Sequence, residues 1–193
     1  MNKKLLWPTE LYYFNNVNID NDKIKQIILE KEKTEPSRKI SNMGGWQSQE
    51  KLILKEGFNE IKNFLFECIS SILDEIYIDG VNFYLAQSWA NVNRYGHSNA
   101  SHTHGNSHWS CVYYITETYT APLYFVDPRV RSQMFAAYDL HNENNKYYYN
   151  IGPEKSQAGD ALFFPSWLEH GVAINSTDNP RISISCNFQV TSR

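Results

Sequence analysis

After residue 80 the apolar pattern of this chain changes from helical spacing to short runs rich in aromatic and β-branched residues. Turn-forming residues separate these runs, which is typical of β-strands. Helical spacing does not return in the second half, and this argues against a parallel sheet built from βαβ units. We predict strands at residues 81–93, 109–115, 122–126, 146–151, 160–165, 171–175 and 182–190.

The first 80 residues predict one strand and two helices. Residues 11–19 favour a strand. Asp20-Asn21-Asp22 is an N-cap cluster for a helix whose apolar residues recur up to the charged run 30–33. The polar residues 39–49 contain two adjacent glycines and predict a loop. Residues 56–76 carry apolar side chains at the spacing of an amphipathic helix, namely Phe58, Ile61, Leu65, Cys68, Ile69, Ile72 and Ile76.

The organisation of the chain predicts a single domain over residues 1–193. No internal repeat and no linker rich in Pro, Gly or Ser divides it. Within the domain we expect residues 1–80 to flank a β core formed by residues 81–190. Helices followed by a series of short strands predict a mainly β protein of the α+β class, with helices on one side of a sandwich or barrel.

Composition limits the partners and the compartment. The net charge of −3 provides no general electrostatic attraction to nucleic acid or anionic membrane, so we expect neither as a partner. The three cysteines are odd in number and lack Cys-x-x-Cys spacing, which indicates a reducing compartment. We find no signal peptide pattern and no apolar run long enough to span a bilayer. These features predict a soluble cytoplasmic protein.

Histidines carry the strongest functional signal. Four of the six lie in residues 95–108, between two predicted strands. Residues i and i+2 of an extended segment point the same way, so His102 and His104 should project side by side. His170, which follows a predicted strand and turn, is the candidate for a third metal ligand. Three imidazoles, or two and a carboxylate, suit a catalytic Fe(II) or zinc. The alternative is a set of unrelated surface histidines.

The strand after the last histidine has an unusual polar face. Alternation places Arg181, Ser183, Ser185 and Asn187 on one side. Arginine binds a carboxylate through two parallel hydrogen bonds, and a nearby serine can add a third. The pattern therefore predicts a pocket for a small dicarboxylate near the metal. The alternative is an exposed edge strand with a polar outer face.

Together these motifs resemble those of 2-oxoglutarate/Fe(II)-dependent oxygenases, in particular the small prolyl-hydroxylase-like oxygenases. The resemblance covers roughly residues 81–190. It implies a double-stranded β-helix (jelly roll) with the active site in its mouth, and a need for Fe(II), 2-oxoglutarate and O₂, with ascorbate supporting activity. The matching segments occur in the family's order, as residues 89–93, 102–104, 110–115, 159–170 and 181–188.

The resemblance also implies roles for individual residues. His102 matches the first metal-binding histidine and His170 the last. Arg181 matches the arginine that binds the far carboxylate of 2-oxoglutarate, and Ser183 matches the hydroxyl often paired with it. Two tyrosines resemble those that reach the same cosubstrate in prolyl hydroxylases, namely Tyr95 and Tyr114.

One position departs from the family pattern. The family normally has an aspartate or glutamate two residues after the first histidine, and here that residue is His104. His104 could bind the iron in a three-histidine site, which extended geometry favours. It could instead stand aside and leave two protein ligands, or a carboxylate such as Asp127 could take its place.

The expected activity is oxidation, by default hydroxylation, of an unidentified protein or small-molecule substrate. We expect residues 39–49 and 129–145 to select that substrate, and neither segment has a recognisable code. Two alternatives remain at this stage. One is a catalytically silent, cupin-like metal-binding module, and the other is a three-histidine dioxygenase that uses no 2-oxoglutarate.

Overall fold

The computed structural model describes residues 8–16, 18–77, 81–118, 121–129 and 156–192. The helices of this part of the chain are α1 (Asn21–Thr34) and α2 (Asn59–Ile76), with a short 3-10 helix at Leu52–Leu54. Its strands are β1 (Tyr12–Asn15), β2 (Asn42–Met43), β3 (Trp46–Gln47), β4 (Val81–Asn93), β5 (Ser98–His102), β6 (Trp109–Tyr114), β7 (Leu123–Phe125), β8 (Asp160–Pro165), β9 (His170–Val172) and β10 (Arg181–Ser192).

Both predicted helices are present. The side chain of Asp20 caps α1 by accepting a hydrogen bond from the Lys23 amide at 3.0 Å. The charged run 30–33 lies inside α1, because the apolar face of the helix is already anchored by Ile24 and Ile28. Among the described residues, no helix has the length and apolarity needed to cross a bilayer.

The strands form two antiparallel sheets, and their order defines the fold. One sheet has the order β1-β8-β6-β10-β4-β3 and the other has the order β2-β5-β9-β7. From β4 to β10, successive described strands alternate between the two sheets. This alternation winds the chain into a double-stranded β-helix, which confirms the predicted mainly β fold class.

Two apolar clusters lie on opposite faces of the larger sheet. Alternate residues of a strand point to opposite faces, and β6 shows this directly. Cys111 and Tyr113 belong to the cluster that contains the buried face of α2, whereas Val112 and Tyr114 belong to the cluster shared with β7 and β9. The helices therefore cover the outside of the sheet, and its inner face is left to line a pocket.

The observed strands match the predictions closely where the apolar pattern is strong. β4 and β8 have the predicted bounds, and β6, β7, β9 and β10 differ by one to three residues at their ends. Strand β1 is shorter than the predicted 11–19. The predicted strand at 146–151 lies outside the described residues.

Three strands were not predicted. β2 and β3 lie in the segment 39–49 that was expected to be a loop, and each contains only two residues. β5 has the sequence Ser-Asn-Ala-Ser-His, which lacks apolar alternation. Its polar side chains fit a strand because it pairs with β2 and β9 at the rim of the pocket rather than in an apolar core.

Packing of α2 on the large sheet should dominate the stability of the domain. Ile69 is fully buried on the inner face of α2, whereas Glu67 of the same helix is exposed. We expect Ile69→Ala to lower the free energy of unfolding by about 2–5 kcal/mol, because the lost packing leaves a cavity. Glu67→Ala, the matched control, should change it by less than about 0.5 kcal/mol. Urea denaturation measures both, and equal effects would contradict this packing.

Candidate metal centre and cosubstrate pocket

His102 and His170 lie opposite each other on neighbouring strands of the smaller sheet. They form a cross-strand pair between β5 and β9, and their ring centroids are 4.6 Å apart. Partners in an antiparallel pair project from the same face, so the two imidazoles converge. The turn after β8, closed by a hydrogen bond from the Leu168 amide to the Pro165 carbonyl at 2.9 Å, reverses the chain and brings His170 to this position.

His104 completes a cluster of three imidazoles. It lies just beyond the end of β5, and its ring centroid is 4.9 Å from that of His102 and 5.1 Å from that of His170. One potential ligand atom from each ring lies within 4.8 Å of the other two. A small closure of the rings would bring these atoms to the metal–nitrogen distance of about 2.0–2.1 Å, so the cluster could hold one metal ion.

Backbone carbonyls fix the orientation of two of the rings. Nδ1 of His102 is 2.8 Å from the Ala100 carbonyl oxygen, and Nδ1 of His170 is 2.8 Å from the Leu168 carbonyl oxygen. A carbonyl can only accept, so each Nδ1 carries the proton and donates. The Nε2 atom of each ring is then left with a free lone pair, as a metal-binding histidine requires.

Burial keeps two of the imidazoles neutral. It lowers the pKa of His104 to about 3, with further lowering by His170 and His102. It also lowers the pKa of His170 to about 4, although the hydrogen bond to Leu168 opposes this shift. A metal ion binds the neutral base, so near neutral pH these rings need lose no proton to bind it.

A polar-walled pocket extends from the histidines along β4 and β10. Its empty space, including the open mouth, is about 420 Å³. Cross-strand pairs line one wall, with Asn91 opposite Ser183 and Trp89 opposite Ser185. The Trp89 ring lies 5.7 Å from that of His104, so the three histidines lie next to this part of the wall.

Arg181 is a buried cation in the same pocket. It is only 2% exposed. Its Nε donates to the Ala121 carbonyl at 3.0 Å and its Nη1 donates to Ser183 Oγ at 2.9 Å. Its Nη2 has no hydrogen-bond partner of standard geometry among the described residues. Burial lowers the pKa of this guanidinium, because desolvation disfavours its charged form.

Tyr114 lies beside this guanidinium. The Arg181 Cζ atom is 5.5 Å from the centroid of the Tyr114 ring. Burial raises the pKa of Tyr114, so its hydroxyl keeps the proton and remains a donor near neutral pH. Within the described residues this hydroxyl, like Arg181 Nη2, is buried without a partner of standard geometry. The Tyr114 hydroxyl also interacts with Arg181 and Ser156, and a carboxylate that arrived beside Arg181 Nη2 would find two donors close together.

Two residues considered from the sequence are not part of this arrangement. Tyr95 is 67% exposed on the turn between β4 and β5 and does not line the pocket. Asp127 is held by Arg129, whose Nε and Nη2 donate to its carboxylate at 2.9 and 2.7 Å. The cluster of potential metal ligands found among the described residues contains the three histidines and not Asp127.

Of the amide side chains in the pocket wall, Asn187 was predicted from the sequence to lie on the polar face of its strand, whereas Asn91 was not predicted. Asn91 lines the pocket, is buried, and faces Ser183 in the neighbouring strand. Its position within a strand of alternating character is visible in the sequence. The pairing that places it beside Ser183 is not, because register depends on contacts between distant segments.

Comparison with solved structures supports the fold. One similar structure is the non-heme alpha ketoglutarate dependent carbocyclase SnoK from nogalamycin biosynthesis (13% identity, TM-score 0.64, covering 96% of this chain and 82% of that chain). Another is HygX from Streptomyces hygroscopicus with nickel, 2-oxoglutarate and hygromycin B bound (11%, 0.61, 94% and 83%). A third is a prolyl-4-hydroxylase from Pseudomonas putida (13%, 0.60, 94% and 92%).

Comparison at the level of sequence families identifies the class of enzyme. No curated protein matches this chain. A family model described as "Putative 2OG-Fe(II) oxygenase", where 2OG is 2-oxoglutarate, matches residues 87–187. The match spans just over half of the chain and includes all three clustered histidines and Arg181. The chain therefore belongs to the family of 2-oxoglutarate- and Fe(II)-dependent oxygenases.

Proposed function

We propose that this oxygenase binds Fe(II) through His102, His104 and His170 and holds the far carboxylate of 2-oxoglutarate with Arg181. The proposal rests on the buried guanidinium, whose Nη2 has no partner of standard geometry in the part of the chain that the structure describes, in the same pocket as three converging imidazoles. A cation in that position requires an anion, and an anion beside the imidazoles can also reach the metal.

The histidine cluster fits the metal that the family uses. Imidazole is a suitable ligand for iron, and three protein ligands leave open positions for other molecules. The ring orientations of His102 and His170 are set before metal binding, because their Nδ1 protons are already committed to backbone carbonyls. His104 occupies the position at which the family usually has a carboxylate, and we assign it as the third ligand.

The residues of the pocket would orient the cosubstrate. Arg181 Nη2 and the Tyr114 hydroxyl would donate to one carboxylate of 2-oxoglutarate, and Ser183 would hold the guanidinium in place through Nη1. The keto-acid end would then point toward the histidines. When bound, Fe(II) and 2-oxoglutarate would activate O₂, which is the oxidant: one oxygen atom would end in succinate, released with CO₂, and the other would oxidise the substrate.

The substrate that is oxidised is proposed to be a small molecule or a protein side chain, with hydroxylation as the default outcome. HygX was solved with hygromycin B bound, which supports a small molecule, and the similar prolyl-4-hydroxylase supports a side chain. Within the first predicted specificity segment, 39–49, Ser41 lines the pocket. Residues 130–145 of the second predicted specificity segment lie outside the described residues.

Three buried free cysteines support a cytoplasmic location.

The two alternatives do not use the buried arginine. A silent metal-binding module has no need of a desolvated cation that points into its pocket. A three-histidine dioxygenase without 2-oxoglutarate has no acid cosubstrate to pair with that cation. Arg181 therefore provides the clearest experimental distinction between the proposal and both alternatives.

Removal of either strand-borne histidine should abolish metal binding. We expect His102→Ala and His170→Ala each to lose Fe(II) binding at micromolar metal, because each removes one of three ligands. The fold should persist, because its core lies elsewhere. Anaerobic Fe(II) titration with circular dichroism measures both properties. His97→Ala, outside the cluster, is the matched control, and unaltered iron affinity in either ligand variant would contradict the assignment.

His104 can be tested by replacement with the usual family ligand. We expect His104→Ala to weaken Fe(II) binding and His104→Asp to retain it, because a carboxylate restores a site of two histidines and one acid. Isothermal titration under anaerobic conditions measures the affinities. If both variants bind iron as tightly as the wild type, His104 is not a ligand.

Arg181→Lys should weaken 2-oxoglutarate binding selectively. Lysine keeps the charge but loses the planar pair of donors, so we expect a loss of about 1–3 kcal/mol in cosubstrate affinity. Iron affinity should barely change. Anaerobic titration of the Fe(II)-loaded protein, followed by metal-to-ligand charge-transfer absorbance, measures the cosubstrate. Arg94→Lys, which alters a surface pair with Glu32, is the control. Absence of the absorbance band in the wild type at millimolar 2-oxoglutarate would contradict the proposal.

A further inference from the structure

His104 is held differently from the other two histidines. His102 and His170 lie on strands, and their rings are oriented by backbone carbonyls. His104 lies in the segment between β5 and β6, and within the described residues its ring makes no hydrogen bond. Its position therefore depends on whatever fixes the backbone of this segment, which we define as the loop 104–108.

Ser166 holds both ends of the loop 104–108. Its carbonyl oxygen accepts from the His104 amide at 3.0 Å, and its own amide donates to the His108 carbonyl at 2.9 Å. Ser166 is fully buried and lies in the turn directly after β8. The backbone of a single residue thus connects the turn that leads to His170 with the loop that carries His104.

The Ser166 side chain is itself anchored by a chain of hydrogen bonds. Ser166 Oγ is 2.8 Å from Ser110 Oγ, which donates to Asn187 Oδ1 at 2.9 Å. Asn187 Nδ2 donates to Gln87 Oε1 at 3.2 Å, and Gln87 Nε2 donates to Glu50 Oε1 at 3.4 Å. The single Ser110 proton is used toward Asn187, so Ser166 must donate to Ser110.

All donors in this series of hydrogen bonds point the same way. The series starts at the buried Ser166 hydroxyl and ends at the Glu50 carboxylate, which also forms an ion pair with Arg38 at 2.7 Å. Hydrogen bonds in such a series strengthen one another, and a buried donor that loses its acceptor is costly. The hydroxyl of Ser166 is therefore restrained strongly, and its backbone with it.

We infer that Ser166 is a positioning residue for the metal site, which acts by holding His104 in ligand geometry through its anchored turn. This inference rests on the proposed role of His104. No hydrogen bond joins the Ser166 side chain to the three histidines, so its contribution must pass through the backbone, and its direct hydrogen bond with the His104 amide points to that histidine rather than to His170. Groups that orient metal ligands typically affect metal affinity by about ten-fold or more.

The test is a double-mutant cycle on metal affinity. Co(II) and, anaerobically, Fe(II) are titrated into the wild type, Ser166→Ala, His104→Ala and the double variant. We expect Ser166→Ala to weaken binding by about ten-fold. We expect it to have no further effect when His104 is already alanine, because the residue through which it acts is gone. The Co(II) absorption spectrum of Ser166→Ala should shift toward that of His104→Ala.

The control is another buried serine. Ser88→Ala removes a buried hydroxyl that accepts from the Ile53 amide at 3.2 Å on the opposite face of β4. It should leave metal affinity unchanged. If Ser166→Ala does not fold, Ser110→Ala removes the same anchor from the other side and should give the same coupling with His104→Ala.

The outcomes separate the inference from the proposal on which it rests. If His104→Ala alone leaves metal affinity unchanged, the proposed ligand role fails. If His104→Ala weakens binding but Ser166→Ala and Ser110→Ala do not, the ligand role stands and the inference is wrong. Equal weakening by Ser166→Ala in the presence and absence of the His104 ring would show a general structural effect, which also overturns the inference.

Discussion

The antiparallel pairing of His102 with His170 is the contact on which the site depends. It places two imidazoles on one face of the smaller sheet at a separation that one metal ion can bridge. It also determines where His104 lies, two residues later, and which part of the β4–β10 wall faces the proposed metal site. A shift of one residue in this register would turn one of the paired histidines to the other face of the sheet, so the fold and the metal centre are specified by the same pairing.

The charges that meet in the pocket explain why it suits a dicarboxylate. The described cluster of potential ligands contains imidazoles, which bring no negative charge, and no carboxylate, so a divalent metal held there would keep its full charge. Arg181 adds a second buried positive charge on the same wall. A dicarboxylate cosubstrate would neutralise both, and we propose that Arg181 Nη2 and the Tyr114 hydroxyl donate to it. Replacement of the usual acid by His104 would thus make the site more dependent on its dianionic cosubstrate.

Much of the fold and part of the candidate site could be predicted from the sequence. Strong apolar alternation predicted β4 and β8 at their observed bounds, and i, i+2 geometry predicted that His102 and His104 would converge. Strand β5 was missed because its polar residues satisfy no apolar pattern, although it carries His102. The exposure of Tyr95 and the placement of Ser166 could not be predicted, because both depend on how distant segments meet in the folded chain.

The most direct test of the central claim is a crystal structure of the protein with Fe(II) and 2-oxoglutarate, grown without oxygen. We expect one metal ion bound by His102, His104 and His170, with a carboxylate of 2-oxoglutarate hydrogen-bonded to Arg181. A metal ion bound without His104, or a cosubstrate whose carboxylates do not contact Arg181, would contradict it.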